Sequence, residues 1–139
     1  MDNILVYAHR ADSPWHKSAE ECVRALAEGG AAWAIPWPCL HEFLAIVTNP
    51  RIFRTPTPLP AAIAQVAVWQ SSPSLVLLAE SDSHWDTLKA LTVAGKAAGG
   101  MIHDARVAAL CRQHGVRVLL TADRDFSRLP SLKAVNPLL

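Results

Sequence analysis

The sequence predicts an α/β domain in which helices flank a buried parallel sheet. Short apolar segments bounded by turn residues, at 33–35, 75–79 and 116–121, are typical of buried parallel strands. Segments with apolar residues at helical spacing lie between them, and this strand–helix alternation indicates a parallel sheet. No internal repeat, low-complexity tract or linker interrupts the 139 residues, so we expect one domain spanning 1–139.

The first half of the chain contains two helices that have clear boundary signals. Residues 4–9 come first; they are apolar, and their periodicity alone leaves strand and helix open. Ser13 as N-cap, followed by a proline, predicts a helix that a Gly-Gly pair ends at position 29. After the strand at 33–35, Pro38 opens a second helix, which ends before Pro50.

The second half repeats the alternation. A proline-rich loop at 55–60 precedes a helix and then the strand at 75–79. Ser83 is the expected N-cap of the next helix, with Asp86 as its capping-box partner. A second Gly-Gly pair precedes a helix over 101–114, and the apolar strand at 116–121 leads into a loop that contains two aspartates.

Composition excludes several classes of protein. The net charge of +1 leaves RNA or DNA binding to a local patch, because there is no global positive field. No apolar run approaches the length of a membrane span, and no basic leader precedes an apolar segment. The three scattered cysteines, Cys22, Cys39 and Cys111, argue against a zinc site and a disulfide framework. We therefore expect a cytoplasmic protein with reduced thiols and no membrane contact.

Three carboxylates are expected at one edge of the sheet. Asp123 follows the strand at 116–121, Glu42 lies early in the helix after the strand at 33–35, and Asp104 lies in the first turn of its helix. Ligands of parallel α/β sheets bind just beyond the carboxyl ends of the strands. For Asp104 taken singly, a favourable interaction with the helix dipole is an equally good explanation, and for Glu42 taken singly it is the better one.

Taken together, the three acids favour a metal site. Carboxylates held close together repel one another unless a cation neutralises them, and Mg²⁺ and Mn²⁺ prefer oxygen ligands. A carboxylate-bound divalent metal is suited to phosphodiester hydrolysis, since it polarises the phosphate and lowers the pKa of bound water.

Four stretches of the chain resemble the PIN-domain ribonucleases, specifically the VapC-type toxins of bacterial toxin–antitoxin pairs. They are NILVYAHRADSP, PWPCLHEFLAIVTNPRIF, GGMIHDARVAAL and LLTADRDFSRLP, in that order. The resemblance implies a three-layer PIN-like fold and a Mg²⁺- or Mn²⁺-dependent endoribonuclease that is a toxin. It also implies an antitoxin partner that inserts a basic residue among the acids, and the apolar surplus fits a homodimer as well as a filled core.

The resemblance assigns roles by position. Glu42, Asp104 and Asp123 match catalytic, metal-binding acids, and Asp125 matches an extra acid of the same loop, although local capping is an alternative for it. Thr121 matches a supporting hydroxyl, and Asn3 is the supporting residue at the entry to the first helix.

The start of the chain departs from the family pattern, in which a strand leads into Asp-x-Asn. Alignment on Asn3 places Met1 where the first metal-binding aspartate belongs, and Asp2 is one residue too late. The first strand of the sheet is therefore expected to be truncated, which would expose the edges of its neighbours. Three explanations stay open: a start upstream of Met1, Asp2 moving into the vacant place, or a weak or inactive site. Asp2 as a simple helix cap would favour the third.

RNA affinity would come mainly from phosphate contacts. The candidates are Arg51 and Arg54 in the loop after the Glu42 helix, and Arg124 beside Asp123. No base-stacking platform is visible in the sequence. The alternative function is a PIN-fold binding module with little or no turnover, acting through antitoxin or RNA binding. A phospho-acceptor receiver domain lacks support, because the acidic pair that it needs after its first strand is missing.

Overall fold

A computed structural model describes residues 1–124, 126, 129 and 132–139. Within them the chain alternates between helices and parallel strands, as the sequence predicts. The elements are α1 Asp2–His9, α2 His16–Glu28, β1 Trp33–Pro36, α3 Trp37–Val47, α4 Leu59–Gln70, β2 Leu75–Leu78, α5 His84–Ala94, α6 Met101–Gln113, β3 Val118–Leu120 and β4 Lys133–Val135.

The ambiguous N-terminal segment is a helix. Helix α1 starts immediately after Met1, and Ile4, Leu5 and Val6 are buried in it. The next helix starts later than its boundary signal predicts, because the Ser13 hydroxyl accepts the backbone N–H of Trp15 in a turn, and α2 begins only at His16.

Two further boundaries differ from the sequence prediction. Helix α4 begins at Leu59, inside the expected proline-rich loop, because proline is compatible with the first turn of a helix. Ser83 does occupy the N-cap of α5, but its side chain makes no capping bond. Its hydroxyl lies 3.1 Å from that of Ser81 and accepts from Gln113, so the predicted capping box is wrong.

The strands form two separate parallel pairs within the described residues. β1 pairs with β2, with Trp33 opposite Leu75, and β3 pairs with β4, with Val118 opposite Lys133. A cleft of about 480 Å³ is lined by apolar side chains of β1, β2 and β3 and by Met1. Among the described residues α1 is the first element of the chain.

The core is built around α1 and α3. Phe43 of α3 is fully buried, and its ring packs in edge-to-face geometry with the rings of His9 and Trp69. The ring centroids are 5.3 and 4.8 Å apart, respectively. Helix α1 packs against α2 and α3, whereas α5 packs against α6, and α6 contacts β1. β1 runs directly into α3, and β3 runs into the loop that contains Asp123. Residues of α3 and Asp123 line one common cavity. None of the described helices has the length and apolarity to cross a bilayer.

Candidate active site

A cavity of about 440 Å³ lies where β1 and β3 end. Side chains from α1, α3, α6 and the loop after β3 line it, and four of them are carboxylates: Asp2, Glu42, Asp104 and Asp123. These residues are separated by up to 121 positions in sequence, yet the fold brings them to one place. We call this space the acid cavity.

Asp2 reaches the acid cavity as the first residue of α1. Met1 occupies the N-cap position without a side-chain capping bond, and the Asp2 carboxylate lies 3.9 Å from the terminal amine. Met1 itself is buried, which fixes the start of the helix against the core. The out-of-register aspartate therefore shares a cavity with the three acids that the sequence assigns to the site.

Asn3 and Thr121 connect the helix of Asp2 to the loop of Asp123. The Asn3 amide donates to the Thr121 hydroxyl at 3.4 Å and accepts the Ala122 N–H at 3.4 Å. The same hydroxyl accepts the backbone N–H of Asp123 at 3.0 Å. Thr121 is 2% exposed, so water does not replace these bonds, and the network holds the backbone that carries Asp123.

Glu42 and Asp104 lie in α3 and α6, each directly after a histidine. Glu42 is exposed and lies off the buried face that Leu40, Phe43 and Val47 form. The preceding residues, His41 and His103, also line the acid cavity. The sequence reasoning missed both; the signal was a histidine beside a candidate acid in two separate helices.

Arg106 is a basic side chain in the lining of the acid cavity. Its Nε donates to the Glu80 carboxylate at 2.9 Å, and the same carboxylate lies 3.8 Å from the His84 ring. Glu80 follows β2, so this contact attaches α6 to the end of that strand. The contact fixes a guanidinium in the lining that the four carboxylates share.

Cys39 is the one thiol among the described lining residues of the acid cavity. Burial raises its pKa to about 12, so the thiol stays protonated at neutral pH. A protonated thiol is neither a nucleophile nor a metal ligand. Cys111, whose pKa burial raises to about 11, is equally inert, as the sequence reasoning expected of reduced structural thiols.

The donor types in the acid cavity fit a hard divalent cation. Carboxylate oxygens predominate, with the Asn3 amide beside them, and they carry more negative charge than Arg106 offsets. In the arrangement described, no three His, Cys, Asp or Glu side chains of the covered residues stand close enough to bind one metal ion.

The candidate RNA-binding arginines are distributed differently. Arg51 and Arg54 are exposed in the loop between α3 and α4, and neither lines the acid cavity. Arg124 is exposed and lines a neighbouring cavity together with Asp123. Asp125, which the sequence offers as an additional metal ligand, lies outside the described residues.

Comparisons with known proteins identify the family of the chain. A family model described as PIN domain matches residues 2–132. Ribonuclease VapC43 of Mycobacterium tuberculosis is 33% identical over 98% of this chain and 92% of its own length. Ribonuclease VapC25 of the same organism is 30% identical over 97% and 94%, and ribonuclease VapC48 is 26% identical over 97% and 93%.

Proposed function

The chain belongs to the PIN domain family, and from this premise we propose that it is a divalent-metal-dependent endoribonuclease, the toxin of a toxin–antitoxin pair. One observation carries the proposal beyond similarity: the acids that the sequence singles out, Glu42, Asp104 and Asp123, line one cavity. Relatives matched over nearly their whole length are named ribonucleases, which supports the same chemistry here.

In this proposal the four carboxylates of the acid cavity hold Mg²⁺ or Mn²⁺, with Asp125 as a further candidate. When bound, the metal supplies charge that polarises the scissile phosphate and makes a bound water more acidic. Both metals prefer oxygen donors, and the protonated Cys39 does not compete for them.

The residues of the chain itself position and neutralise the reacting groups. Glu42 and Asp104 are carried on helices, which restricts where their carboxylates can move. Asp123 depends on the Asn3–Thr121 network for the position of its backbone. A carboxylate of this set accepts the proton of the attacking water, and the cationic Arg106 offsets charge on the phosphate.

Asp2 takes the place of the first acid in this proposal. Its position in the acid cavity supports this reading over a site that lacks its first acid. The test is Asp2→Asn, which keeps the shape of the side chain. In this variant we expect weaker activation of cleavage by Mn²⁺ and an unchanged free energy of unfolding. Activation equal to that of the unaltered chain would show that Asp2 has no role in metal binding.

The proposed partners are RNA, an antitoxin and a second copy of the chain, in the cytoplasm. An antitoxin that places a basic side chain among the acids would neutralise them as a metal does. Four exposed apolar side chains around α4 support protein contacts in this region: Ile52, Leu59, Ile63 and Val68.

The central experiment is RNA cleavage by purified chain free of antitoxin. We expect cleavage of structured RNA with Mg²⁺ or Mn²⁺, none with EDTA, and none in Asp104→Asn. Asp86→Asn is the matched control, because Asp86 also lies in the first turn of a helix but is exposed on α5, away from the acid cavity. Cleavage in EDTA, or undiminished cleavage by Asp104→Asn, would refute the proposal.

The second candidate function is a binding module of the same fold. Alignment on Asn3 favours it, because that alignment places Met1 rather than an aspartate at the position of the first acid. A binding module would retain RNA affinity but cleave no RNA at any Mn²⁺ concentration, and Asp104→Asn would leave its behaviour unchanged.

A further inference from the structure

A second cavity shares a wall with the acid cavity. Its volume is about 530 Å³, within the usual range for ligand sites, and Asp123 lines both spaces. Thr121 and Ala122, which Asn3 connects to the Asp2 helix, also line this second cavity. A group bound in it would lie directly beside a group bound among the acids.

Two aromatic side chains form one side of this second cavity. Trp15 is 46% exposed and Tyr7 is half-buried, and both line the space. Hydrogen bonds fix the backbone around Trp15: its N–H donates to the Ser13 hydroxyl at 3.1 Å, and its carbonyl accepts from Ala19 at 3.0 Å. A large aromatic group left accessible on a fixed backbone offers a π-face for stacking.

Alanine and leucine side chains line much of the remaining space, and polar groups, among them Asn136 and Arg124, lie between them. The Asn136 side-chain oxygen accepts the Leu138 N–H at 2.9 Å, which orients the amide. No described residue accepts a hydrogen bond from its NH₂ group. Arg124 adds a guanidinium to the lining. Stacking faces, an amide donor and an arginine are the groups with which proteins recognise unpaired RNA bases.

We propose that this second cavity is a base-binding subsite for single-stranded RNA, which holds the base of a nucleotide next to the phosphate cleaved at the acid cavity. The assignment of that neighbouring phosphate rests on the proposed function. The base stacks on Trp15, and the Asn136 NH₂ group donates to an acceptor on its edge. The subsite therefore sets a base preference at one position relative to the cut.

The test measures binding separately from cleavage. Fluorescence anisotropy in EDTA gives the affinity of the full chain for short single-stranded RNAs that vary at each position. We expect Trp15→Ala to weaken binding by roughly 5- to 150-fold, the range for losing one stacked base, and Trp15→Phe to restore most of it. The matched control is Trp85→Ala, since Trp85 is 65% exposed on α5 and lines neither cavity.

Asn136→Asp tests the hydrogen-bond part of the proposal. It keeps the oxygen that accepts the Leu138 N–H but replaces the donor with an acceptor, so we expect the preferred base at one position to change. With Mn²⁺ present, sequencing of the cleavage ends should show the changed preference at a fixed distance from the cut.

The outcomes separate this proposal from the proposed function. RNA binding that depends on Trp15, in a chain that cleaves nothing, supports the subsite and refutes the nuclease. Metal-dependent cleavage with unchanged affinity and base preference in both Trp15 variants and in Asn136→Asp refutes the subsite alone. If Trp15→Ala instead lowers the mass in sedimentation and leaves RNA binding intact, the cavity is a contact between copies of the chain and the proposal fails. If Trp15→Ala does not fold, the RNA affinity of Trp15→Phe and the base preference of Asn136→Asp test the subsite instead.

Discussion

Thr121→Val removes one hydroxyl on which two parts of the active site depend. The hydroxyl accepts from the Asn3 amide at 3.4 Å and from the Asp123 N–H at 3.0 Å, in a residue 2% exposed. Valine has nearly the same shape, so the substitution deletes these bonds and leaves little cavity. Each lost bond costs about 1 kcal/mol, and a buried donor left without an acceptor costs ~1–3 kcal/mol.

Because the Asn3 contact is long, we expect a net loss of about 2 kcal/mol in the free energy of unfolding. For a domain of this size that corresponds to a decrease in Tm of about 7 °C. Cleavage should fall further than stability alone requires, since a displacement of about 1 Å at a reacting group can cost on the order of 100-fold in rate. We expect kcat to decrease roughly 10- to 100-fold at temperatures where the variant is fully folded.

Urea unfolding gives the first quantity and initial cleavage rates with Mn²⁺ the second. Thr121→Ser keeps the hydroxyl and should restore most of the activity. Thr48→Val is the control, because it removes a hydroxyl that donates to the Leu44 carbonyl at 2.7 Å and does not line the acid cavity. If Thr121→Val cleaved RNA as fast as Thr48→Val does, the hydroxyl would not position Asp123, and the reasoning would be refuted.

Two further predictions concern charge. Arg106→Ala should raise KM for RNA several-fold with a small change in kcat. It should also reduce the slope of log K for RNA binding against log salt concentration by ~0.7, the value for one phosphate contact of a single strand. Arg112→Ala is the control, because Arg112 is an exposed residue of the same helix that does not line the acid cavity, and neither quantity should change. An unchanged slope in Arg106→Ala would contradict a phosphate contact. Stability should decrease with rising pH between about 9 and 12, because burial raises the pKa of the Cys39 thiol from 9.0 to about 12 and only the unfolded chain loses that proton in this range. The loss attributable to Cys39 is about 1 kcal/mol at pH 10, as followed by urea unfolding. Cys39→Ala should show a shallower slope, and Cys22 and Cys111, whose pKa values burial also raises, contribute to the slope that remains. An equal slope in both proteins would mean that the Cys39 thiol is not buried as described.

Local signals predicted most elements but not their ends. Glycine pairs and prolines marked where helices stop, and the apolar runs at 33–35 and 116–121 lie on β1 and β3. The start of α2 was wrong because the Ser13 hydroxyl has two competing uses, a helix cap and a turn, and only the surrounding fold selects the turn. Ser83 failed as a capping residue for a similar reason, since Gln113 of α6 reaches it.

The pairing of strands was beyond local prediction in a different way. Each strand is only three or four residues long, and its own sequence does not indicate which of its edges pairs with another strand. The two parallel pairs and the apolar cleft beside them are therefore features of the tertiary structure.

The sequence by itself determined the kind of protein this is. The strand–helix alternation predicted the fold class, and the positions of Glu42, Asp104 and Asp123 near strand ends and helix starts predicted a carboxylate site. The resemblance of four stretches predicted the family. All of these signals are local in the sequence. Only the tertiary structure decided that Asp2 joins those acids, that Asn3 holds Thr121 across 118 positions, and that Trp15 and Asn136 line one cavity. Such contacts depend on long-range packing, which no spacing within a single helix or strand encodes.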